Sequence, residues 1–438
     1  PDVKQAQRLA ATDQIRTINR QIGELLTESQ RIKFAELRAA RRPARSVVQR
    51  SAPQTDQPGD SDAAQKELEE TSHFAPLPPR APMTDEEYRQ LAIHLRTAYS
   101  KPAKEWPAPT LDDPVPSYFV ELGLLPPVKY PEHNPYTEAK AELGKKLFFD
   151  PRLSGSKQIS CASCHDAELG WSDGRTVSFG HSRKALTRNS QTLLNVGHNE
   201  FFFWDGRSST LEEQAIEVIN NKDEMHSSAE IVREHLGSIP GYTNEFAAVF
   251  GSPEVTITRV AQAIATFERT ITSRSNPFDS FLRGNTNALS DSAIRGLHLF
   301  RTEARCINCH HGPNFTDNRF HDEGLSYFGR KLQDLGRYEV TKDPADVGGF
   351  KTPTLRNISR TAPYMHNGLF DLDGVLNLYN AGMPNLRPKG EQKNDPLFPK
   401  KSHLLKPLGL NKQDLQDLKA FLEALTEARH RVPPPELP

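Results

Sequence analysis

Two pentapeptides with the same Cys-x-x-Cys-His pattern constrain this chain more than any other feature. They are Cys161-Ala162-Ser163-Cys164-His165 and Cys306-Ile307-Asn308-Cys309-His310. The pattern is the signature of a covalently attached c-type haem, held by two thioethers and ligated by the histidine. All four cysteines of the chain fall in these motifs, which leaves none for a disulfide. The sequence therefore predicts two c-type haems, with His165 and His310 as ligands of the two irons.

Other cysteine chemistries explain the two motifs less well. The C-x-x-C pairs of a zinc ribbon lie about 15–20 residues apart, whereas well over a hundred residues separate Cys164 from Cys306. A thioredoxin-like redox motif needs neither the repetition nor the two histidines. Covalent haem attachment is therefore the preferred interpretation of both motifs.

Length and charge limit the remaining possibilities. The 438 residues are enough for two core-forming domains with additional segments. The formal net charge of −1 gives no overall field that would select nucleic acid or an anionic lipid surface. No run of about 18 apolar residues is present, so no transmembrane segment is predicted. Because covalent haem attachment is an exported chemistry in bacteria, we expect a periplasmic protein whose signal peptide is absent from this chain.

The N-terminal part of the chain differs in composition from the rest. Residues 1–70 are predicted to form a helical arm, over residues 4–40, and a linker at residues 51–66. The arm is basic; it either packs on the body or on a second copy, or docks on an acidic partner. Residues 71–136 are predicted to form a proline-rich extended strap with a short helix. That helix begins after Thr84, whose capping box Glu87 completes, and Trp106 is expected to anchor the strap by packing.

A helical segment that ends in phenylalanine precedes each haem motif. The two segments are residues 143–149 and residues 292–300. This repetition predicts two mainly helical, cytochrome-c-like domains, over residues 137–285 and residues 286–438. Further helical patterns lie at 209–220, 226–236, 255–272 and 411–428, and no strong alternating strand pattern is present.

Several sequence blocks around the motifs carry a family resemblance. They are residues 147–154 (LFFDPRLS), 203–207 (FWDGR), 211–214 (LEEQ), 352–357 (TPTLRN) and 362–368 (APYMHNG). With the two haem motifs, they make the chain resemble the bacterial di-haem cytochrome c peroxidases and their MauG-type relatives over about residues 135–430. The resemblance implies a peroxide-reacting first haem, an electron-transferring second haem, and hydrogen peroxide as substrate.

The resemblance also assigns roles near the first haem. Glu224 matches the family's distal glutamate, which moves a proton between the two peroxide oxygens; a partly desolvated carboxyl suits this task. Gln214 and Phe203 match supporting positions in the distal pocket. Trp204 matches the tryptophan between the two haems, where an indole can relay electrons. His181 is either a removable sixth ligand of the first haem, as in the peroxidase branch, or an ordinary loop histidine.

The second ligand of the second haem distinguishes the two branches of the family. Conventional peroxidases use a methionine, whereas MauG-type enzymes have a tyrosine. The matching position is Tyr379, with Met383 one turn further on as the rival ligand. A tyrosinate is a hard anionic donor that favours the more oxidised iron, so Tyr379 predicts the MauG-like branch.

The resemblance further implies one calcium ion between the haem domains. Asn189 would offer a side-chain oxygen, and Thr361 and Pro363 would offer backbone carbonyls. Oxygen donors of this kind suit calcium. No acidic cluster in the sequence indicates this site by itself.

The resulting hypothesis is a peroxide-dependent di-haem oxidoreductase. In it, Trp204 carries oxidising equivalents from the first haem to the second, and both irons reach Fe(IV). The electron donor is either a small c-type cytochrome or a protein side chain or other organic substrate. The alternatives are a non-catalytic di-haem electron-transfer cytochrome, a conventional peroxidase with Met383 on the second haem, and a sensor or scaffold built around the N-terminal arm. The sequence leaves the oligomeric state open.

Overall fold

The computed structural model describes residues 72–438, and this part of the chain is mainly helical. The predicted arm at residues 4–40 and the linker at 51–66 lie outside the described residues. Eleven helices are found within residues 72–438: α1 Asp85–Tyr99, α2 Glu138–Phe149, α3 Leu211–Asn220, α4 Ala229–Gly237, α5 Pro240–Phe250, α6 Ile257–Glu268, α7 Pro277–Leu282, α8 Asp291–Arg301, α9 Tyr338–Thr341, α10 Leu372–Asn380 and α11 Lys412–Ala424. None of these helices combines the length and apolar character that a bilayer crossing requires.

Strands contribute little to the described fold. Strand β1 (Ser72–His73) pairs antiparallel with β4 (Asn385–Leu386), and β2 (Phe320–Asp322) pairs antiparallel with β3 (Gly349–Lys351). The second pair places Phe320 opposite Lys351. The predicted mainly α class is therefore confirmed.

The strap begins with the helix that the sequence predicts. The Thr84 hydroxyl accepts the Glu87 backbone N–H at 3.3 Å, and the Glu87 carboxylate accepts the Thr84 backbone N–H at 2.8 Å. This reciprocal capping box satisfies two backbone donors at the start of α1. Further along, Trp106 is buried and packs against the ring of Tyr99 at 5.3 Å, so it is a packing anchor.

The strap also touches the second haem motif directly. The Asn308 side-chain oxygen accepts the Asp112 backbone N–H at 2.7 Å, and its amide donates to the Thr110 carbonyl at 3.0 Å. Asn308 is the second of the two residues between the cysteines of the motif that Cys306 begins. The strap thus holds the attachment turn of the second haem in place.

Two large hydrophobic cores organise the described chain. One is built from helices α2 to α6 and the loops between them, and includes Phe148 and Phe267. The other is built from α1, the strap, α7, α8 and α11, and includes Phe300 and Phe421. Phe278 packs in this second core, although the predicted division at residue 285 assigned it to the first domain.

Corresponding glycines bring helices close together in the two cores. A Cβ on Gly144 in α2 would lie 1.9 Å from the carbonyl oxygen of Ala263 in α6. A Cβ on Gly296 in α8 would lie 2.0 Å from the carbonyl oxygen of Asp417 in α11. In each core, the helix before the haem motif therefore packs backbone against backbone on a second helix, which supports a duplication.

Replacing Gly296 with Ala is expected to destabilise the protein. The added methyl group cannot fit without moving α8 away from α11, and overpacking of this kind costs about 1–3 kcal/mol. We expect a lower Tm in thermal unfolding of the haem-loaded protein. Gly237→Ala is the matched control, because nothing lies within 4 Å of a Cβ there. Equal Tm values for the two variants would contradict this account of the packing.

Candidate di-haem active site

The two haem motifs adopt the same local structure. Each forms a short 3-10 turn, over Cys161–Ser163 and Cys306–Asn308. The backbone N–H of His165 donates to the Cys161 carbonyl at 3.0 Å, and that of His310 donates to the Cys306 carbonyl at 2.9 Å. This turn holds the histidine and the first cysteine of each motif in one fixed arrangement.

A hydrogen bond orients each motif histidine in the same way. His165 Nδ1 lies 3.1 Å from the Trp171 carbonyl oxygen, and His310 Nδ1 lies 3.0 Å from the Phe315 carbonyl oxygen. A carbonyl can only accept, so each Nδ1 carries the proton and each Nε2 keeps a free lone pair. Burial also lowers the pKa of both rings, that of His310 to about 4. Both histidines are therefore neutral, as an iron ligand must be.

Both histidines line one cavity of about 600 Å³. Cys161 and Cys164 lie on its wall beside His165, and Tyr379 lies on the wall beside His310. None of the four cysteines forms a disulfide. Neutral motif histidines beside free cysteines, at the wall of one large cavity, fit two covalently held haems.

Three predicted residues of the first-haem site line this cavity: Glu224, Gln214 and Phe203. Glu224 lies in the loop after α3, and the Asn221 side-chain amide donates to its carboxylate at 3.0 Å. Gln214 lies on α3. Phe203 has a left-handed backbone, with φ of 65°, and the Arg207 guanidinium lies 3.4 Å from the centre of its ring.

The Glu224 carboxyl has the electrostatic environment of a proton carrier. Burial raises its pKa to about 7, and the nearby carboxylate of Glu217 acts in the same direction. The Arg207 guanidinium and the Asn221 hydrogen bond act in the opposite direction. A carboxyl with a pKa near neutrality can both accept and release a proton under ordinary conditions.

Trp204 is buried on the cavity wall, and hydrogen bonds hold both its side chain and its backbone. Its indole N–H donates to the Asn189 carbonyl at 2.9 Å, and its own carbonyl accepts the Lys351 backbone N–H at 2.8 Å. Its ring lies edge-on to the ring of His366, with 6.4 Å between centres. These contacts fix the indole plane within the space shared by the two haem sites.

The two rival ligands of the second haem occupy different environments. Tyr379, on α10, lines the cavity, and its hydroxyl donates to the Glu323 carboxylate at 2.7 Å. Met383 is 1% exposed, does not line the cavity, and is buried in the apolar cluster of Leu325 and Met365 against which Tyr379 also packs. Of the two, only Tyr379 is placed to reach a group in the cavity.

His181 does not line the cavity, although its neighbours Gly180 and Lys184 do. Its ring stacks on His226, with 4.2 Å between ring centres. Its backbone N–H donates to the carbonyls of Asp223 and Glu224. In this conformation His181 is placed as a loop histidine that packs behind the Glu224 segment.

The three residues predicted for calcium also meet at the cavity wall: Asn189, Thr361 and Pro363. The Asn189 amide donates to the Arg175 carbonyl at 2.7 Å, which leaves its side-chain oxygen free. Neither the Thr361 nor the Pro363 carbonyl accepts a backbone hydrogen bond within the described residues. Unpaired neutral oxygens are a donor set that fits calcium.

Sequence reasoning missed several cavity residues. Glu323, Lys351, Glu268 and Arg207 line the space, and each is an ionisable group in an apolar or loop segment. The one available signal was Glu268, a charged residue that follows the largely apolar stretch 260–267, whereas no such run surrounds Glu323 or Lys351. A charged residue in such a run indicates that it needs a partner of opposite charge or a hydrogen-bond partner. It does not identify that partner, because the partners come from distant segments.

Comparison with known proteins identifies the family. A family model described as di-haem cytochrome c peroxidase matches residues 138–287. The methylamine utilization protein MauG of Methylorubrum extorquens is 41% identical over 317 residues, which are 71% of this chain and 85% of that protein. The chain belongs to the di-haem cytochrome c peroxidase family. The cytochrome-c peroxidase IdrP1 of Pseudomonas sp. (strain SCT) is also similar, at 38% identity over 335 residues, covering 70% of this chain and 85% of that relative.

Solved structures agree with this assignment. A MauG-like protein associated with microbial copper homeostasis aligns with a TM-score of 0.62 at 32% identity, over 69% of this chain and 93% of that one. The diheme peroxidase BthA from Burkholderia thailandensis E264 aligns with a TM-score of 0.57 at 25% identity, over 70% of this chain and 90% of that one. This di-haem peroxidase is therefore an oxidoreductase that acts on peroxide and carries two c-type haems.

Replacing Tyr379 with Phe is expected to change the ligation of the second haem alone. The change removes the oxygen that lines the cavity but keeps the aromatic ring. In EPR spectra of the oxidised enzyme we expect new signals for one haem and unchanged signals for the other. Met383→Leu conserves volume in the core and is the matched control, with an unchanged spectrum. An unaltered spectrum for Tyr379→Phe would exclude Tyr379 as the ligand, and an altered one for Met383→Leu would point to Met383 instead.

Proposed function

We propose that this enzyme reduces hydrogen peroxide at the first haem and stores or relays oxidising equivalents at the second. The single observation that carries the proposal is the position of Glu224. It is a buried carboxyl with a pKa raised to about 7, in the same cavity as His165, Trp204 and Tyr379. A non-catalytic electron-transfer cytochrome would not need a carboxyl with these properties beside a haem.

When bound, the two haems would supply irons that exchange electrons with peroxide and with the electron donor. The residues that would hold them are Cys161, Cys164, His165, Cys306, Cys309, His310 and Tyr379. The chain's own contribution at the first haem is proton transfer. As a carboxylate, Glu224 accepts a proton from one peroxide oxygen and returns it to the other, so that the second oxygen leaves as water. The Asn221 amide holds the carboxylate in place, and Gln214 and Phe203 enclose the pocket.

Trp204 is proposed to connect the two haem sites. The Asn189 carbonyl holds its indole N–H, and the ring is buried, which excludes water from its faces. With both haems bound, a fixed indole of low ionisation energy would provide a path for an electron between the two haem sites. A Tyr379 ligand favours the more oxidised state there, because a phenolate is a hard anionic donor. The proposal therefore places the enzyme in the MauG-like branch, with one oxidising equivalent at each haem.

Calcium, partner and location complete the proposal. Asn189, Thr361 and Pro363 would hold one calcium ion through neutral oxygens beside Trp204.

The electron donor is a small c-type cytochrome, as the names of the cytochrome c551 peroxidase relatives suggest, or a protein side chain or organic substrate. The site of action is the periplasm, where covalent haem attachment occurs. The described cores support a two-domain division close to the predicted one.

Replacing Glu224 with Gln is expected to slow the reaction with peroxide by about 10²–10⁴-fold, the usual contribution of a positioned proton carrier. The rate of the wild type should fall as pH drops through about 7, because protonation of Glu224 removes the base. The variant should lose this pH dependence. Stopped-flow mixing of the oxidised enzyme with peroxide, from pH 5 to pH 9, measures both effects.

Asp223→Asn is the matched control for this experiment. Asp223 adjoins Glu224 in sequence, but its carboxylate is solvent-accessible and paired with Lys184 at 2.7 Å. Its replacement is expected to leave the rate at high pH close to that of the wild type and to move the pH profile slightly downward, because the Asp223 charge helps to raise the pKa of Glu224. A full rate in Glu224→Gln, or an equal loss in both variants, would remove Glu224 from the proposed role.

Replacing Trp204 with Phe is expected to isolate the two haems electronically. Peroxide should still react at the first haem, but the absorption bands of the second haem should not change with the same time course. Trp106→Phe is the control, because Trp106 is equally buried but packs in the strap. A simultaneous response of both haems in Trp204→Phe would contradict the relay.

A further inference from the structure

Lys351 is an ammonium group buried in the wall of the haem cavity. It ends strand β3, is 2% exposed, and lines the cavity. The one hydrogen bond of its side chain among the described residues runs from Nζ to the Thr352 carbonyl at 3.2 Å. An ammonium carries three donors, so most of its hydrogen-bonding capacity is unused.

The other cationic side chains on the described cavity wall all have carboxylate partners. Arg188 pairs with Asp205 and Asp334 at 2.6 and 2.7 Å. Arg207 pairs with Asp205 and Glu217, and Lys184 pairs with Asp223. Among the lysines and arginines of the described cavity lining, Lys351 therefore has no carboxylate partner.

The carboxylates whose charge acts on Lys351 do not form an ion pair with it. Asp317 and Glu200 act on it only through space. Asp317 is already engaged, because it accepts a hydrogen bond from His321 at 2.8 Å. Burial accordingly lowers the pKa of Lys351 to about 8. A buried charge without a partner is strongly unfavourable, so this ammonium requires an anion from the cavity side.

The cavity provides such an anion when it is filled. Each haem carries two propionate carboxylates, and a haem held through its vinyl groups keeps both of them free. We propose that Lys351 forms an ion pair with a propionate of the second haem and thereby tunes the reduction potential of that haem. The inference depends on the two-haem cavity and not on the proposed relay.

Backbone contacts favour the second haem over the first as the source of this propionate. Strand β3 pairs with β2, which follows closely after His310, and the Thr352 carbonyl accepts the Thr316 hydroxyl at 2.6 Å. The Asp317 backbone N–H donates to the Cys309 carbonyl at 2.8 Å. Lys351 is therefore tied to the loop that leaves the second haem motif.

A cation at this position has a defined electrostatic effect. It opposes the extra positive charge of the oxidised iron, so it raises the reduction potential of the haem whose propionate it binds. Low water access strengthens the effect, because the surrounding medium screens the charge weakly. Lys351 also donates its backbone N–H to the Trp204 carbonyl, which places the charge beside the buried indole.

The test is spectroelectrochemical titration of the haem-loaded enzyme and its variants. In Lys351→Met, the reduction potential of the second haem should shift downward while that of the first haem stays constant. Lys351→Arg keeps the charge and should restore a potential close to that of the wild type. Lys184→Met is the control, because Lys184 lines the same cavity but is solvent-exposed and paired; both potentials should remain unchanged.

Unchanged potentials in a folded Lys351→Met variant would overturn the proposal, as would a shift confined to the first haem. If that variant does not assemble with haem, a crystal structure of the haem-loaded wild type decides. Lys351 Nζ within about 4 Å of a propionate oxygen of the second haem would support the ion pair, and a longer separation would overturn it. Neither measurement uses peroxide turnover. The test of Lys351 would therefore remain valid even if the experiments on Glu224 excluded its proposed catalytic role.

Discussion

The hydrogen bond from each motif histidine to a backbone carbonyl is the constraint on which the rest of the structure depends. His165 and His310 use Nδ1 for the carbonyls of Trp171 and Phe315, which leaves Nε2 as the ligating atom of each ring, and both residues line the common cavity. Covalent attachment alone would tether a haem without setting the direction of its ligand. The carbonyl contacts set that direction, and they do so in the same way in both halves of the chain.

Burial of the ionisable side chains in the cavity wall gives them their chemical properties. The same burial raises the pKa of Glu224 to about 7 and lowers that of Lys351 to about 8 and of His310 to about 4. In each case the neutral form is favoured, because a charge is poorly solvated there. These environments suit the proposed roles of the Glu224 carboxyl as a proton carrier and of the His310 imidazole as a haem ligand, and they leave the Lys351 ammonium in need of an anionic partner.

Much of the fold and of the haem attachment could be predicted from the sequence. The capping box of Thr84 and Glu87 is a local interaction, so four residues of sequence were enough to predict it. The repeated helices before the haem motifs were predicted from local sequence in the same way. The packing of Phe278 in the second core was not predicted, because it depends on which distant helices α7 meets. For the candidate site, family blocks indicated Glu224, Trp204 and Tyr379, whereas Glu323 and Lys351 come from segments without a recognisable pattern.

The sequence by itself determined the number of haems and the mainly helical class, and it predicted the histidines that would ligate the irons, since each depends on short motifs or on local periodicity. Only the tertiary structure decided that both motif histidines line one cavity, that Tyr379 lines it while Met383 does not, and that Lys351 lies there without a carboxylate partner. The physical reason is that solvation and charge pairing at a site depend on all the segments that enclose it. Those segments are distant in sequence and meet only when the two cores have packed.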